Sequence, residues 1–217
     1  MKIVAIITYI FLSGISFSQN SYYFSNPLPT EEKKVQSVDK KWYGEYKDEA
    51  TSLMYRFNEN GITIASTQMS SVSKKLVRES SKYSVKHNFI HGVVENDSLP
   101  CVLEKGYYYF GIRNRDAIVF KNSTTQLTRI SDREYMLNYE ENGKYSPVKL
   151  TFSNSELTIS EFDYDPAKQS FSFIETQTES NQNSQNIVLL SPSAIEFNQL
   201  NSTSYFVERK TFSKTTN

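Results

Sequence analysis

From Trp42 onward the chain alternates apolar and polar residues in short runs broken by polar turns. Trp42-Tyr43-Gly44-Glu45-Tyr46, Leu53-Met54-Tyr55-Arg56-Phe57 and Ile62-Thr63-Ile64 carry the period-two pattern of a half-buried strand. Between the last two, Asn58-Glu59-Asn60-Gly61 supplies the asparagine and glycine that a tight hairpin needs. Further strands are predicted at residues 89–95, 100–104, 107–112, 117–121, 126–130 and 134–140, then at 148–152, 157–162, 170–175, 187–190, 194–197 and 205–210. Two segments read as short helices: 30–35, with Thr30 as N-cap, and 72–80, where Val72, Leu76 and Val77 recur at helical spacing. Residues 177–186 include no apolar side chain and are predicted to form a long exposed loop. Strands this short and closely spaced define an all-β protein of antiparallel meander sheets with at most one or two short helices.

Sliding the chain on itself brings out a partial internal repeat. Phe57-Asn58-Glu59-Asn60-Gly61-Ile62-Thr63-Ile64 lies over Phe152-Ser153-Asn154-Ser155-Glu156-Leu157-Thr158-Ile159 at an offset of 95. Upstream, Trp42-Tyr43-Gly44-Glu45-Tyr46 falls over Tyr135-Met136-Leu137-Asn138-Tyr139 at an offset of 93. Ala117-Ile118-Val119-Phe120 resembles Ala194-Ile195-Glu196-Phe197, and Tyr135-Met136-Leu137 resembles Tyr205-Phe206-Val207. The repeat implies a lead-in at 19–41 and two similar halves, a first β repeat at 42–133 and a second at 134–217, arranged as small barrels or a sandwich. Alternating Phe, Ile and Thr around an Asn turn is also what any hairpin requires, so the likeness has a purely physical origin open to it.

The first eighteen residues follow a different rule. Met1-Lys2 is a short positive start, residues 3–15 are an apolar run, and Ser16-Phe17-Ser18 offers the small-x-small pattern of a signal-peptidase site. About thirteen apolar residues fall short of the ~20 that span a bilayer, so residues 1–18 are expected to be a cleaved signal peptide. With no cysteine at the cleavage point, the mature chain is expected to be soluble, periplasmic or extracellular, without a lipid anchor or membrane span. Removing the leader takes one lysine and no acid, leaving 23 basic against 24 acidic residues. That balance offers no basic face to nucleic acid and no polybasic patch to a membrane. The aromatic content, with 15 Tyr and 14 Phe, reinforces the sheet reading. Cys101 is the only cysteine, so no internal disulfide can form, and its apolar surroundings Leu99-Pro100-Cys101-Val102-Leu103 suggest a buried small hydrophobe.

Phe24-Ser25-Asn26-Pro27-Leu28-Pro29 after such a leader, followed by Lys41-Trp42-Tyr43-Gly44-Glu45-Tyr46, resembles a group of uncharacterised exported proteins of Bacteroidetes, flavobacterial in type. The resemblance implies lineage and export and brings no activity with it. The strand Trp42-x-Gly44-x-Tyr46 is also similar to the opening strand of lipocalin-like (calycin) barrels, which implies a barrel, although in the lipocalin pattern glycine precedes the tryptophan.

Candidate chemistry is sparse. His87 and His91 would share one face of a strand, but two imidazoles lack the further ligands a metal needs, and no spacing singles out Cys101 or Glu95 to complete them. Glu161-Phe162-Asp163-Tyr164-Asp165 aligns three carboxylates on one strand face, usable for calcium or an acid and base pair, or simply a solvated face over inward Phe162 and Tyr164. Tyr107-Tyr108-Tyr109-Phe110 is the densest aromatic stretch; alternation turns Tyr107 and Tyr109 to one face, where they could form a stacking platform for sugar or another apolar surface. Asp97-Ser98-Leu99 resembles a flavobacterial O-glycosylation triplet. No nucleophile elbow, phosphate loop or dinucleotide fingerprint occurs, and no cofactor is indicated. Three functions remain, in this order: a non-enzymatic binding or interaction module for an unknown macromolecule, a lipocalin-like carrier of a small apolar ligand, and a hydrolase using the acidic strand.

Overall fold

In the computed structural model, residues 21–30, 34–48, 50–165, 172–180, 186–203 and 205–215 are described; the expected leader at 1–18 lies outside them. In chain order the strands are β1 (Ser21–Phe24), β2 (Lys34–Val35), β3 (Gly44–Lys47), β4 (Met54–Asn58), β5 (Gly61–Ser73), β6 (Ser84–Lys86), β7 (Phe89–His91), β8 (Ser98–Glu104), β9 (Tyr107–Ile118), β10 (Gln126–Arg129), β11 (Glu134–Glu141), β12 (Lys144–Phe152), β13 (Glu156–Phe162), β14 (Thr176–Ser180), β15 (Asn186–Leu190) and β16 (Phe206–Lys214). Two short helices, α1 (Lys74–Glu79) and α2 (Ala194–Ser202), complete an all-β protein of the predicted class.

Strands β10, β11, β12, β13, β16, β3, β4 and β5 lie side by side, each antiparallel to its neighbours, in one open sheet. The sheet curls until Ile62 of β5 and Leu127 of β10, from its two flanks, share a core with Trp42, Tyr46, Phe152 and Phe212. Phe152 is at its centre. Its ring contacts Trp42, Tyr46, Phe57 and Tyr135 with centroids 5.1 to 5.8 Å apart. Polar edges of these rings find partners: Trp42 Nε1 donates to Asp132 O at 2.9 Å and the Tyr46 hydroxyl to Trp42 O at 3.0 Å. Burial pushes the Tyr46 phenol up to about 12.

β11 is buried on both faces. Tyr135 and Leu137 point into the main core, whereas Met136 joins a second cluster with Phe24, Leu28, Leu190, Phe197 and Leu200. β1 pairs in parallel with β15, from Ser21 opposite Ile187 to Phe24 opposite Leu190, and α2 lays Phe197 and Leu200 over the same patch. A third, smaller cluster of Ile90, Cys101 and Phe110 lies away from both, between β7, β8, β9 and α1. The link to it is a ribbon: β5 and β9 pair without a break from Ile62 opposite Ile118 to Ser73 opposite Tyr107.

The two matched hairpins share their register. Phe57 opposes Ile62 across the β4–β5 turn and Phe152 opposes Leu157 across the β12–β13 turn, and all four side chains enter the main core. That core takes residues from both sides of residue 134. The matched segments at 117–120 and 194–197 differ, the first ending a strand and the second opening a helix.

Several element boundaries depart from the pattern-based expectation. Residues 194–197 form the first turn of α2 instead of a strand, because Ser193 and Glu196 close a capping box: Ser193 N donates to Glu196 Oε2 at 2.6 Å and Glu196 N to Ser193 Oγ at 3.4 Å. The expected helix at 30–35 gives way to β2 at its end, where Val35 pairs with Leu127; residues 31–33 lie outside the described set. The expected strand at 170–175 is a turn over its described part, 172–175. Within the expected loop at 177–186, residues 177–180 belong to β14 and Asn186 opens β15, while 181–185 lie outside the described residues. Strands predicted separately at 107–112 and 117–121 are one continuous β9, followed by a 3₁₀ turn at Phe120–Asn122.

Candidate functional site

Tyr107 and Tyr109 are placed by strand alternation on a sheet that is covered on one side only. Their neighbours Tyr108 and Phe110 turn inward to the third cluster, leaving the two rings outward, 6.5 Å apart and tilted 49° to one another. Val102 lies opposite Tyr109 on β8, and Met69 opposite Gly111 on β5, so both project to the same outer face. Their exposures, 68% for Val102, 67% for Met69, 47% for Tyr107 and 37% for Tyr109, describe a contiguous apolar patch. Gly111 keeps that face flat: a Cβ there would lie 2.7 Å from the Thr67 methyl.

Farther along β9 the same face turns basic. Arg113 and Arg115 line an open groove of about 640 Å³ together with Arg56, Lys47, Ser66 and Thr67. Its two acids are already engaged. Glu45 accepts from Arg56 Nε at 2.9 Å and pairs with Lys47 at 3.3 Å, and the Arg56 bond above all holds its carboxyl below the usual range. Asp48 pairs with Lys210, accepts from the Thr51 hydroxyl and takes the Ala50 N–H at 3.1 Å. Lys210 is the largest cause of its depression to about 2 from an ordinary 3.8.

A depressed carboxyl contributes stability that is present above its unfolded pKa and lost as pH falls through its folded one. The stability gap between wild type and Asp48→Asn is therefore expected to be constant near neutrality, to shrink between about pH 4 and pH 2, and to close below that. Urea melts across that range check it. A gap independent of pH would show that the Lys210 pair contributes nothing.

The other candidates are dispersed. His87, with φ of 49°, is in the two-residue turn between β6 and β7 while His91 is within β7, so no common strand face holds them. Among the described residues no three His, Cys, Asp or Glu side chains converge on a metal position. Cys101 is 7% exposed against Ile90 and Phe110, and burial pushes its thiol up, away from the reactive thiolate. In the acidic stretch, Arg209 bridges Glu161 at 3.4 Å and Asp163 at 2.9 Å at the surface, while Phe162 packs on Phe24 and Tyr164 on Tyr22. Asp97 is exposed just before β8 and half-buried Ser98 opens that strand, with Asp97 Oδ1 accepting from Ser98 N at 2.7 Å.

The apolar–polar pattern of the sequence does not single out the two arginines. Their signal is Arg113-Asn114-Arg115-Asp116, which alternates charge within a strand but reads as a polar break once the strand is divided.

No family model matches the chain, and no curated protein or solved structure shows significant similarity to it. Among the described residues no helix is long and apolar enough to cross a membrane.

Proposed function

We propose that this is an exported, non-enzymatic binding module that docks a protein partner on the outer face of the β5–β9 ribbon, with Tyr107 and Tyr109 at the centre of the contact. The observation that carries the reading is the solvent-facing row of Tyr107, Tyr109, Val102 and Met69 on a sheet whose opposite face is buried. Apolar side chains gathered on one face of a soluble domain are a common mark of an interaction surface, since covering them recovers ~25 cal/mol per Å². Met69 and Val102 beside Tyr109 favour apolar protein side chains over a sugar ring, and the flexible thioether adapts to a partner's shape. The adjoining basic groove adds charge selectivity.

The carrier reading asks for an enclosed space lined by Phe and Tyr. In the main core those rings contact one another instead, around Phe152. The hydrolase reading asks for Asp163 and Asp165 together in a cleft, whereas Arg209 holds the Asp163 carboxylate at the surface.

A photoreactive amino acid at position 109, introduced in cells that make the protein, is expected to yield a discrete protein adduct. The same residue at position 195, where Ile195 is 81% exposed but isolated on α2, should not. Tyr107→Ser/Tyr109→Ser should remove the partner while changing stability by only about 0.5 kcal/mol. Equal adducts at both positions, no adduct at either, or glycan adducts at 109 would each defeat the reading.

A further inference from the structure

We propose that the free edge of β9 over residues 111–118 accepts an extended acidic segment of the partner as an added strand, with acidic side chains at alternate positions over Arg113 and Arg115. The inference rests on the binding-module reading and names the chemistry of what is bound.

The edge is free for a structural reason. β8 accompanies β9 only from Glu104 opposite Tyr107 to Cys101 opposite Phe110; beyond that, Pro100, Leu99 and Ser98 pair with β7 instead. Pro100 has no N–H to continue the ladder. From Gly111 to Ile118, β9 is therefore bonded to β5 on one side and, among the described residues, to no strand on the other. At ~3.4 Å per residue the edge is roughly 27 Å long. Residues 113–117 on it are solvent-exposed. Such a row of unpaired N–H and C=O groups is a template for strand addition.

Charge selects what is added. Neither Arg113 nor Arg115 has an ion-pair partner among the described residues, although the groove's acids, Glu45 and Asp48, are both paired. The groove is therefore positive in a chain whose charges otherwise balance, 24 basic against 24 acidic. On an added strand, the residues opposite Arg113 and Arg115 would lie ~4.5–5.5 Å away on the same face, within reach of a guanidinium–carboxylate pair. The residues between them would face the side of Asn114 and Asp116, where further acids are repelled. The segment that fits alternates acidic with neutral residues.

The test is a fluorescence-anisotropy titration of the full chain with a labelled synthetic peptide of about eight residues, alternating glutamate and threonine. Binding is expected, weaker for oligoglutamate of equal length. Arg113→Glu/Arg115→Glu should weaken it about tenfold or more, with far-ultraviolet circular dichroism unchanged. Peptides N-methylated at every second backbone nitrogen, in the two possible phases, should differ: one phase binds and the other does not, because only one set of N–H groups faces the edge. Equal binding by both phases would overturn strand addition, as would arginine-dependent binding of an acidic oligosaccharide in place of the peptide. If the wild type ignores the peptide while Arg113→Thr/Arg115→Thr self-associates, the arginines merely guard the edge and the proposal fails. Tyr107→Ser/Tyr109→Ser should retain most peptide binding. A persistent adduct at position 109 with no peptide binding would leave the module reading standing without this inference.

Discussion

Replacing Phe152 with alanine is expected to destabilise the protein by about 3–5 kcal/mol, the range for emptying a fully buried aromatic position. Phe152 is 1% exposed and is the ring that the others surround: Trp42 stacks on it at 5.4 Å and 17°, while Tyr46, Phe57 and Tyr135 meet it edge-on. Tyr46, Phe57 and Tyr135 stand on three different strands and Trp42 precedes β3, so no single neighbour can move in to fill the space. Two of them are also tethered by hydrogen bonds, Trp42 to Asp132 O and Tyr46 to Trp42 O, which resist collapse. Phe152→Leu keeps most of the volume and should cost appreciably less. In a chain of this size the alanine cost corresponds to roughly 6–20 °C in melting temperature. Trp42 is the only tryptophan, so its fluorescence reports directly on the loss of the stacked ring. The control is Phe89→Ala, an exposed ring on β7 away from the main core, expected to change stability by only about 0.5 kcal/mol. A cost for Phe152→Ala below about 1.5 kcal/mol would mean that the core relaxes around the gap.

How much of this was legible in the sequence depended on whether each strand had one face buried. Where it did, alternation located the strand: β4, β12 and β13 were found, and the inward Phe57, Phe152 and Leu157 with them. The β4–β5 turn was legible because its glycine is obligatory. Gly61 has φ of 141°, and a Cβ there would lie 2.0 Å from Ile118 O. The outward orientation of Tyr107 and Tyr109 is legible for the same reason, since the cluster beneath them fixes which face is outward.

Where neither face is buried, the pattern vanishes. The middle of β9, Arg113 to Asp116, is exposed and polar on both faces, so a continuous strand reads as a break. The two arginines of the candidate site lie in that stretch, which is why the strand was needed before the site could be seen. The polar strand β14, paired to β15 over all five residues, falls from Gln177 onward in a stretch that reads as a loop on the same ground. At α2 the error ran the other way. Ala194-Ile195-Glu196-Phe197 alternates as a strand would, yet the capping box decides for helix, and the helix separates Ile195, 81% exposed, from Phe197, 2% exposed. A strand would have put the two on one face.

The second large expected effect concerns a polar residue inside the sheet. Asn138 is fully buried on the face of β11 opposite the aromatic core. Its side chain acts as a surrogate peptide group for the lead-in: Leu28 N donates to Asn138 Oδ1 at 2.8 Å, and Asn138 Nδ2 donates to Leu28 O at 2.8 Å and to Thr128 Oγ1 at 3.3 Å. Leu28 is itself 0% exposed, so its peptide groups are cut off from bulk water. Asn138→Ala leaves a buried N–H and a buried C=O unpaired, at about 1–3 kcal/mol each, and it loosens the segment that brings Phe24 and Leu28 to the second core. A total near 2–6 kcal/mol is expected, read from denaturant midpoints. Asn138→Asp separates the two hydrogen bonds. An ionised carboxylate still accepts from Leu28 N–H but faces Leu28 O with no proton to give, and burial adds to its cost. Its folded pKa is thereby raised above the unfolded one. The penalty is absent below the unfolded pKa and grows as pH rises toward the folded value. Relative to Asn138→Ala, Asn138→Asp should therefore be the less stable variant at neutral pH and recover in acid, where the protonated carboxyl regains a donor. If the two variants keep the same difference at both ends of the pH range, the reciprocal pair with Leu28 is not what fastens the lead-in to the sheet.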